Sequence, residues 1–155
     1  MDNGIVLRNP ALVPLSQQHH NGLALCVLTK RALRTDRSSQ SIQKLARRVL
    51  DRYEIELSNH FAIEEQVLFP LIEHELDPLP IIEELLADHR AVENMMEQLR
   101  RAPSADLLEA FCALLQRHIR REENELFEYV QRRLPAEALA SAGKEIDARA
   151  VRVCL

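Results

Sequence analysis

Two ten-residue stretches of the chain repeat one arrangement of histidine and glutamate. His60-Phe61-Ala62-Ile63-Glu64-Glu65-Gln66-Val67-Leu68-Phe69 aligns without gaps on His118-Ile119-Arg120-Arg121-Glu122-Glu123-Asn124-Glu125-Leu126-Phe127, with the His, both Glu, the Leu and the Phe identical. Each copy lies inside a helical period. Steps of three and four trace Leu45, Val49, Tyr53, Leu57, His60, Glu64, Val67 and Leu71 through the first copy. They trace Leu108, Phe111, Leu115, His118, Glu122, Leu126 and Tyr129 through the second. This is the spacing of the core-facing stripe of an amphipathic helix. A His and a Glu four residues apart project from the same face, one turn apart. The repeat therefore commits the fold to burying acids and imidazoles together.

A third stripe, Ile82, Leu86, His89, Val92, Met96 and Leu99, carries another histidine near mid-helix. The first helical stretch offers two registers. Leu12, Leu15, His19, Leu23, Cys26 and Leu33 stays apolar to its end, whereas Val13, His20, Leu23 and Val27 runs on into Arg31 and Arg34. The first register is preferred, with His20 as a rim residue or alternative ligand. An ionised carboxylate in a bundle core costs several kcal/mol unless it is compensated, and the stripes of the second, third and fourth helices contain no Lys or Arg. A pair of divalent metal ions resolves the conflict by neutralising the carboxylates and using the imidazole nitrogens as ligands. The candidate ligands are His19, His60, Glu64, His89, His118 and Glu122. Glu65 and Glu123 flank the stripes as solvated residues or as acceptors behind ligating imidazoles. Glu93, four residues after His89, is a possible further ligand.

The punctuation of the chain fits an all-α fold. Pro10 and Pro14 mark an extended N-terminal arm ahead of a helix from about Leu15 to Arg34. Ser38 or Ser39 caps a long second helix, about Gln40 to His74, which Pro70 should kink or whose regular part it should end near Phe69. Asp77-Pro78-Leu79-Pro80 separates it from a third, about Ile81 to Arg101. Ser104 caps a fourth, about Ala105 to Arg133, and a short fifth segment runs from Ala136 to Ala148. Long helices with short connections predict an up-down-up-down four-helix bundle built as two similar hairpins. The length suits a single domain over 1–155, with its core at about 12–133 and a C-terminal helical extension at about 135–155.

Composition excludes several alternatives. Lys and Arg number 20 against 24 Asp and Glu, a net charge of −4, so no basic field points to nucleic acid. Apolar runs are too short to span a membrane. The start, MDNGIVLRNP, shows no leader-like pattern. Three cysteines, Cys26, Cys112 and Cys154, are odd in number and unpaired in spacing, which suits a reducing, cytoplasmic setting.

Four imidazoles with two carboxylates suit Fe, Mn or Zn better than Ca or Mg, which take oxygen cages. Four His shared between two metals leave open coordination positions. On a redox-capable pair, those positions suit O2 or another small diatomic. The His of the first helix, HFAIEE in the second, Asp88-His89 in the third and HIRREE in the fourth together resemble the hemerythrin-like HHE cation-binding family, over about Leu12 to Arg133. The resemblance implies a four-helix bundle around two non-haem Fe ions bridged by carboxylates and an oxo or hydroxo group, with Mn or Zn as substitutes. It also implies that His19 and His60 serve one iron and His89 and His118 the other, with Glu64 and Glu122 bridging. Such proteins bind O2 reversibly, or sense and handle O2, iron, NO or redox state. The chain departs from the oxygen-carrying members. Its third helix has one His, with Leu85 and Glu93 at the flanking positions. Its second carboxylate is Glu at spacing four, and it has no Trp. The expected function is binding or sensing of O2 or a related signal. The alternatives are a di-iron oxidoreductase of peroxidase or ferroxidase type, or an iron storage or sensing module.

Overall fold

A computed structural model gives the structure of the chain, describing residues 7–153. Cys154, and the first six residues read above as lacking a leader, lie outside the described residues. Within them the protein is all helical, with no strand.

The first helix, Val13–Thr35, begins two residues earlier than its composition suggests. The chain turns at Pro10, with Leu12 N–H donating to the Asn9 carbonyl at 2.9 Å. Pro14 is already helical. A proline in the first turn lacks only an N–H that has no intrahelical partner anyway, so the arm is not extended through Pro14 as expected. The second helix occupies 39–75 and opens with Ser38 Oγ accepting from Ser41 N–H at 3.2 Å. It alternates α segments, Ser39–Arg52, Ser58–Ile63 and Phe69–Glu75, with π-helical turns at Tyr53–Leu57 and Glu64–Leu68. Pro70 follows the second of these, where Phe69 N–H already reaches back to the Glu64 carbonyl, so the helix continues past it.

The third helix is Pro80–Arg101. The fourth occupies 105–133, starting from Ser104 Oγ, which accepts from Leu107 N–H at 3.1 Å. It too contains a π turn, at Glu122–Phe127. A fifth helix spans Ala136–Arg149.

Each π turn slips the phase of the buried face relative to an uninterrupted α-helix. After Glu122 the buried residues are Leu126, Phe127 and Val130, while Tyr129 is only half-buried. After Glu64 they include Leu68 and Ile72, while Leu71 is half-buried. Leu85 rather than Leu86 is buried in the third helix.

The fourth helix packs along both the first and the third, the third also meets the second, and the fifth lies against the first and second. The core is divided into two apolar layers. One gathers Leu12, Leu15, Leu68, Ile72, Leu85, Phe127 and Val130, and the other Leu33, Val49, Met96, Leu99, Phe111 and Leu115. Along every one of the four long helices, a buried histidine lies close to the point where its contributions pass from one layer to the other. Cys26 and Cys112 are buried in the second layer, each thiol facing the other's carbonyl at 3.8 and 3.9 Å. The contact with Cys112, together with burial, pushes the Cys26 thiol up. No helix among the described residues is long and apolar enough to cross a membrane.

Candidate metal centre

Each of the four long helices delivers one imidazole to the polar layer between the two apolar ones. His19, His60, His89 and His118 are all buried, and Glu64 and Glu122 are 0% exposed. The six form two groups, His19, His60, Glu64 and Glu122 in one and Glu64, His89, His118 and Glu122 in the other. Within each group the candidate ligand atoms lie within 4.8 Å of one another. Both glutamates belong to both groups.

Every imidazole turns Nε2 inward. His19 Nε2 lies 2.8 Å from Glu122 Oε1, and His89 Nε2 lies 2.9 Å from Glu64 Oε1. His60 Nε2 stands 3.4 Å from Glu64 Oε2 and 3.5 Å from Glu122 Oε1, and His118 Nε2 stands 3.2 Å from Glu122 Oε1. The outward nitrogens are each held from a neighbouring helix. Glu123 Oε2 meets Nδ1 of His19 at 2.6 Å, Glu65 Oε2 meets that of His89 at 2.8 Å, and Asp88 Oδ2 meets that of His118 at 2.9 Å. His60 Nδ1 faces Gln18 Oε1 at 2.9 Å. Such partners set the tautomer and ring orientation of a ligating histidine and raise its basicity.

The sequence repeat now has a physical meaning. In each copy the His and first Glu face the centre, and the second Glu holds an imidazole on another helix. The Leu fills the apolar layer, and the Phe lies parallel to the imidazole that the second Glu holds. Phe127 stacks on His19 with centroids 5.3 Å apart, and Phe69 lies parallel to His89 at 6.0 Å. Phe61 adds a closer stack on His89, 3.9 Å away and tilted by 16°.

The electrostatics are unusual for a core. Burial disfavours charge on His60, but the Glu64 and Glu122 carboxylates outweigh it and raise its pKa to about 9. Burial is likewise outweighed at His118, where Glu122 and Asp88 raise the pKa to about 10. Burial pushes the Glu122 carboxyl up, but the His118 charge and hydrogen bonding hold it well below the usual carboxylate range. Even so, Glu64 Oε2, Glu122 Oε2 and His118 Nε2 are buried with no hydrogen-bond partner. Glu64 and Glu122 belong to both groups and His118 to the second. Buried polar atoms are nearly always satisfied, and a cation between them satisfies acceptor oxygens and an imidazole nitrogen at once. The donor set therefore fits metal ions.

The remaining candidates fall elsewhere. His20 is exposed, because it points a helical step away from His19, and lines a cleft of about 300 Å³ with Gln17, Asn21 and Glu56. Glu93 is exposed and joins neither group, because the buried face continues from His89 through Val92 and Met96 and Glu93 lies one residue beyond Val92. Glu65 and Glu123 lie behind imidazoles rather than among the ligands. The stripes gave no role to Gln18 or Asp88. The available signal was adjacency, since Gln18 precedes His19 as Asp88 precedes His89, just as Glu65 follows Glu64 and Glu123 follows Glu122.

The model of the Hemerythrin HHE cation binding domain matches residues 13–130. Searches of curated proteins and of solved structures returned no match.

Proposed function

This chain belongs to the hemerythrin HHE cation-binding domain family, and we propose that it holds two non-haem iron ions and uses them to bind or sense O2 or a related diatomic. The observation that carries this reading is the sharing of Glu64 and Glu122 by two groups of four buried ligand atoms. His19 and His60 would complete one metal's set and His89 and His118 the other's. Iron is the metal of choice because the borderline nitrogen and oxygen donors suit it and the site holds no thiolate; Mn or Zn would also be accepted. A bound iron pair supplies one-electron redox chemistry and open positions for a small ligand.

The residues of the chain do the rest. The Nδ1 partners fix which nitrogen of each ring faces inward, and the parallel phenyl rings and two apolar layers exclude water. The four imidazoles outnumber the two carboxylates. Carboxylate-rich sets offset the higher metal charge that oxidation chemistry requires, so this set supports binding over turnover. We also read the packing order as an up-down-up-down four-helix bundle within one domain, with the fifth helix as an extension.

Anaerobic reconstitution with Fe2+, followed by optical spectra before and after exposure to O2 or NO, tests the reading. The expected result is two irons per chain, one for each group, and new near-ultraviolet and visible absorption on exposure. A chain that loads iron yet shows no spectral response to either gas would overturn the diatomic assignment. Sustained peroxide- or Fe2+-dependent turnover would favour the oxidoreductase instead.

A further inference from the structure

The scheme that holds the four imidazoles repeats between the two halves of the chain, except in one charge. Glu123 behind His19 corresponds to Glu65 behind His89, and both are carboxylates. Gln18 behind His60 corresponds to Asp88 behind His118. Both contacts are 2.9 Å long, but one partner is a neutral amide and the other a carboxylate. The amide's orientation is set independently. Gln18 Nε2 donates to Asn59 Oδ1 at 2.9 Å and to the Val151 carbonyl at 3.2 Å, both of which are acceptors. Oε1 is therefore the end that faces His60, and His60 Nδ1 carries the proton that it accepts. Asn59 is in turn fixed by Val151 N–H, which donates to its Oδ1, and by its own Nδ2, which donates to the Arg149 carbonyl. The segment after the fifth helix thus clamps the neutral partner in place.

An anionic acceptor behind Nδ1–H makes a ring a stronger donor through Nε2 than a neutral carbonyl does. In the His89 and His118 half both rings have carboxylates behind them; in the His19 and His60 half only one does. We propose that Gln18 is a positioning residue that makes the His19–His60 half the weaker metal site. That half exchanges its ion while the His89–His118 half stays loaded. The inference rests on the dinuclear reading above and adds to it an order of loading and release.

Competition of the fully loaded full-length chain against a chromophoric chelator, with Zn2+ as a redox-silent probe and Fe2+ under anaerobic conditions, tests it. The expected result is release in two steps separated by about tenfold or more in affinity, the usual scale for a change of partner behind a ligating histidine. Asp88→Asn keeps the shape of the side chain and removes only its charge, so it should weaken the tighter step and draw the two together. Gln18→Glu should tighten the weaker step. Because the new oxygen would face Asn59 and Val151, its melting temperature is read alongside and Asp88→Asn decides the matter. A purely structural role for Asp88 would lower the melting temperature without changing the spacing of the steps, and that result would overturn the inference. So would release of both ions from the wild type in a single step. A chain that takes up no metal at all would overturn the dinuclear reading itself.

Discussion

Glu123, on the fourth helix, holds Nδ1 of His19 on the first at 2.6 Å. Ser16 donates to the same carboxylate at 2.7 Å, and Arg8 reaches it at 3.0 Å. Burial raises this carboxyl, but His19, Ser16 and Arg8 together hold it below its ordinary pKa. Its removal should free the His19 ring without touching an inward-facing atom. Glu123→Ala is expected to weaken metal binding by about 10- to 100-fold while far-ultraviolet circular dichroism stays helical. Chelator competition measures the first, and an unchanged affinity would remove Glu123 from the centre.

Metal uptake should release protons. With their pKa values raised to about 9 and about 10, His60 and His118 should each carry an extra proton at neutral pH when no metal is bound, and a ligating imidazole nitrogen must be free of its proton. Loading at pH 7 should therefore displace about two protons per chain. Calorimetric titrations in two buffers of different ionisation enthalpy count them, and identical heats in both would contradict the assignment.

The same shifts set the pH dependence of the chelated protein. Both histidines have folded-state pKa values above the ordinary 6.5, so their contribution is complete below that value and is lost as pH rises through about 9 and 10. The lowered pKa of Glu122 acts in the opposite direction. Its contribution is present above the ordinary carboxylate pKa and is lost as pH falls through the depressed one. Thermal melts across pH should show a maximum between about 4.5 and 6.5, with a decline on the alkaline side that bound metal suppresses.

Where Gly143 in the fifth helix passes Ala11, an added Cβ would lie 2.7 Å from Ala11 Cβ and 2.8 Å from its Cα. One of those atoms is backbone, so the contact cannot be relieved by a rotamer change. Gly143→Ala should destabilise the protein by about 1–3 kcal/mol, read by denaturant melts. Metal stoichiometry should stay at the wild-type value, because this contact is in the apolar layer and not in the centre.

The polar breaks in the apolar stripes were legible in the sequence because a helix repeats its inward face every three or four residues. His60, Glu64, His118 and Glu122 interrupt that face in the same way twice. The π turns were not legible, because they slip the phase with no Gly or Pro inside them. Tyr129 and Leu71 were accordingly placed in the stripe where Val130 and Ile72 are buried. The acceptors behind the rings were only partly visible. Asp88 meets His118 and Gln18 meets His60 across helices, at separations of 30 and 42 residues, and no local period encodes what lies behind a side chain. His19 and His20 were separated only by how far each register stays apolar.

Glu64 and Glu122 each belong to both groups of ligand atoms, so neither metal should survive at full occupancy without both. The most direct measurement is the metal content of the anaerobically Fe2+-loaded chain beside Glu64→Gln and Glu122→Gln. The expected result is two irons per chain in the wild type, one per group, and depletion from both halves in each variant. Wild-type stoichiometry and affinity in either variant would contradict the shared, buried centre.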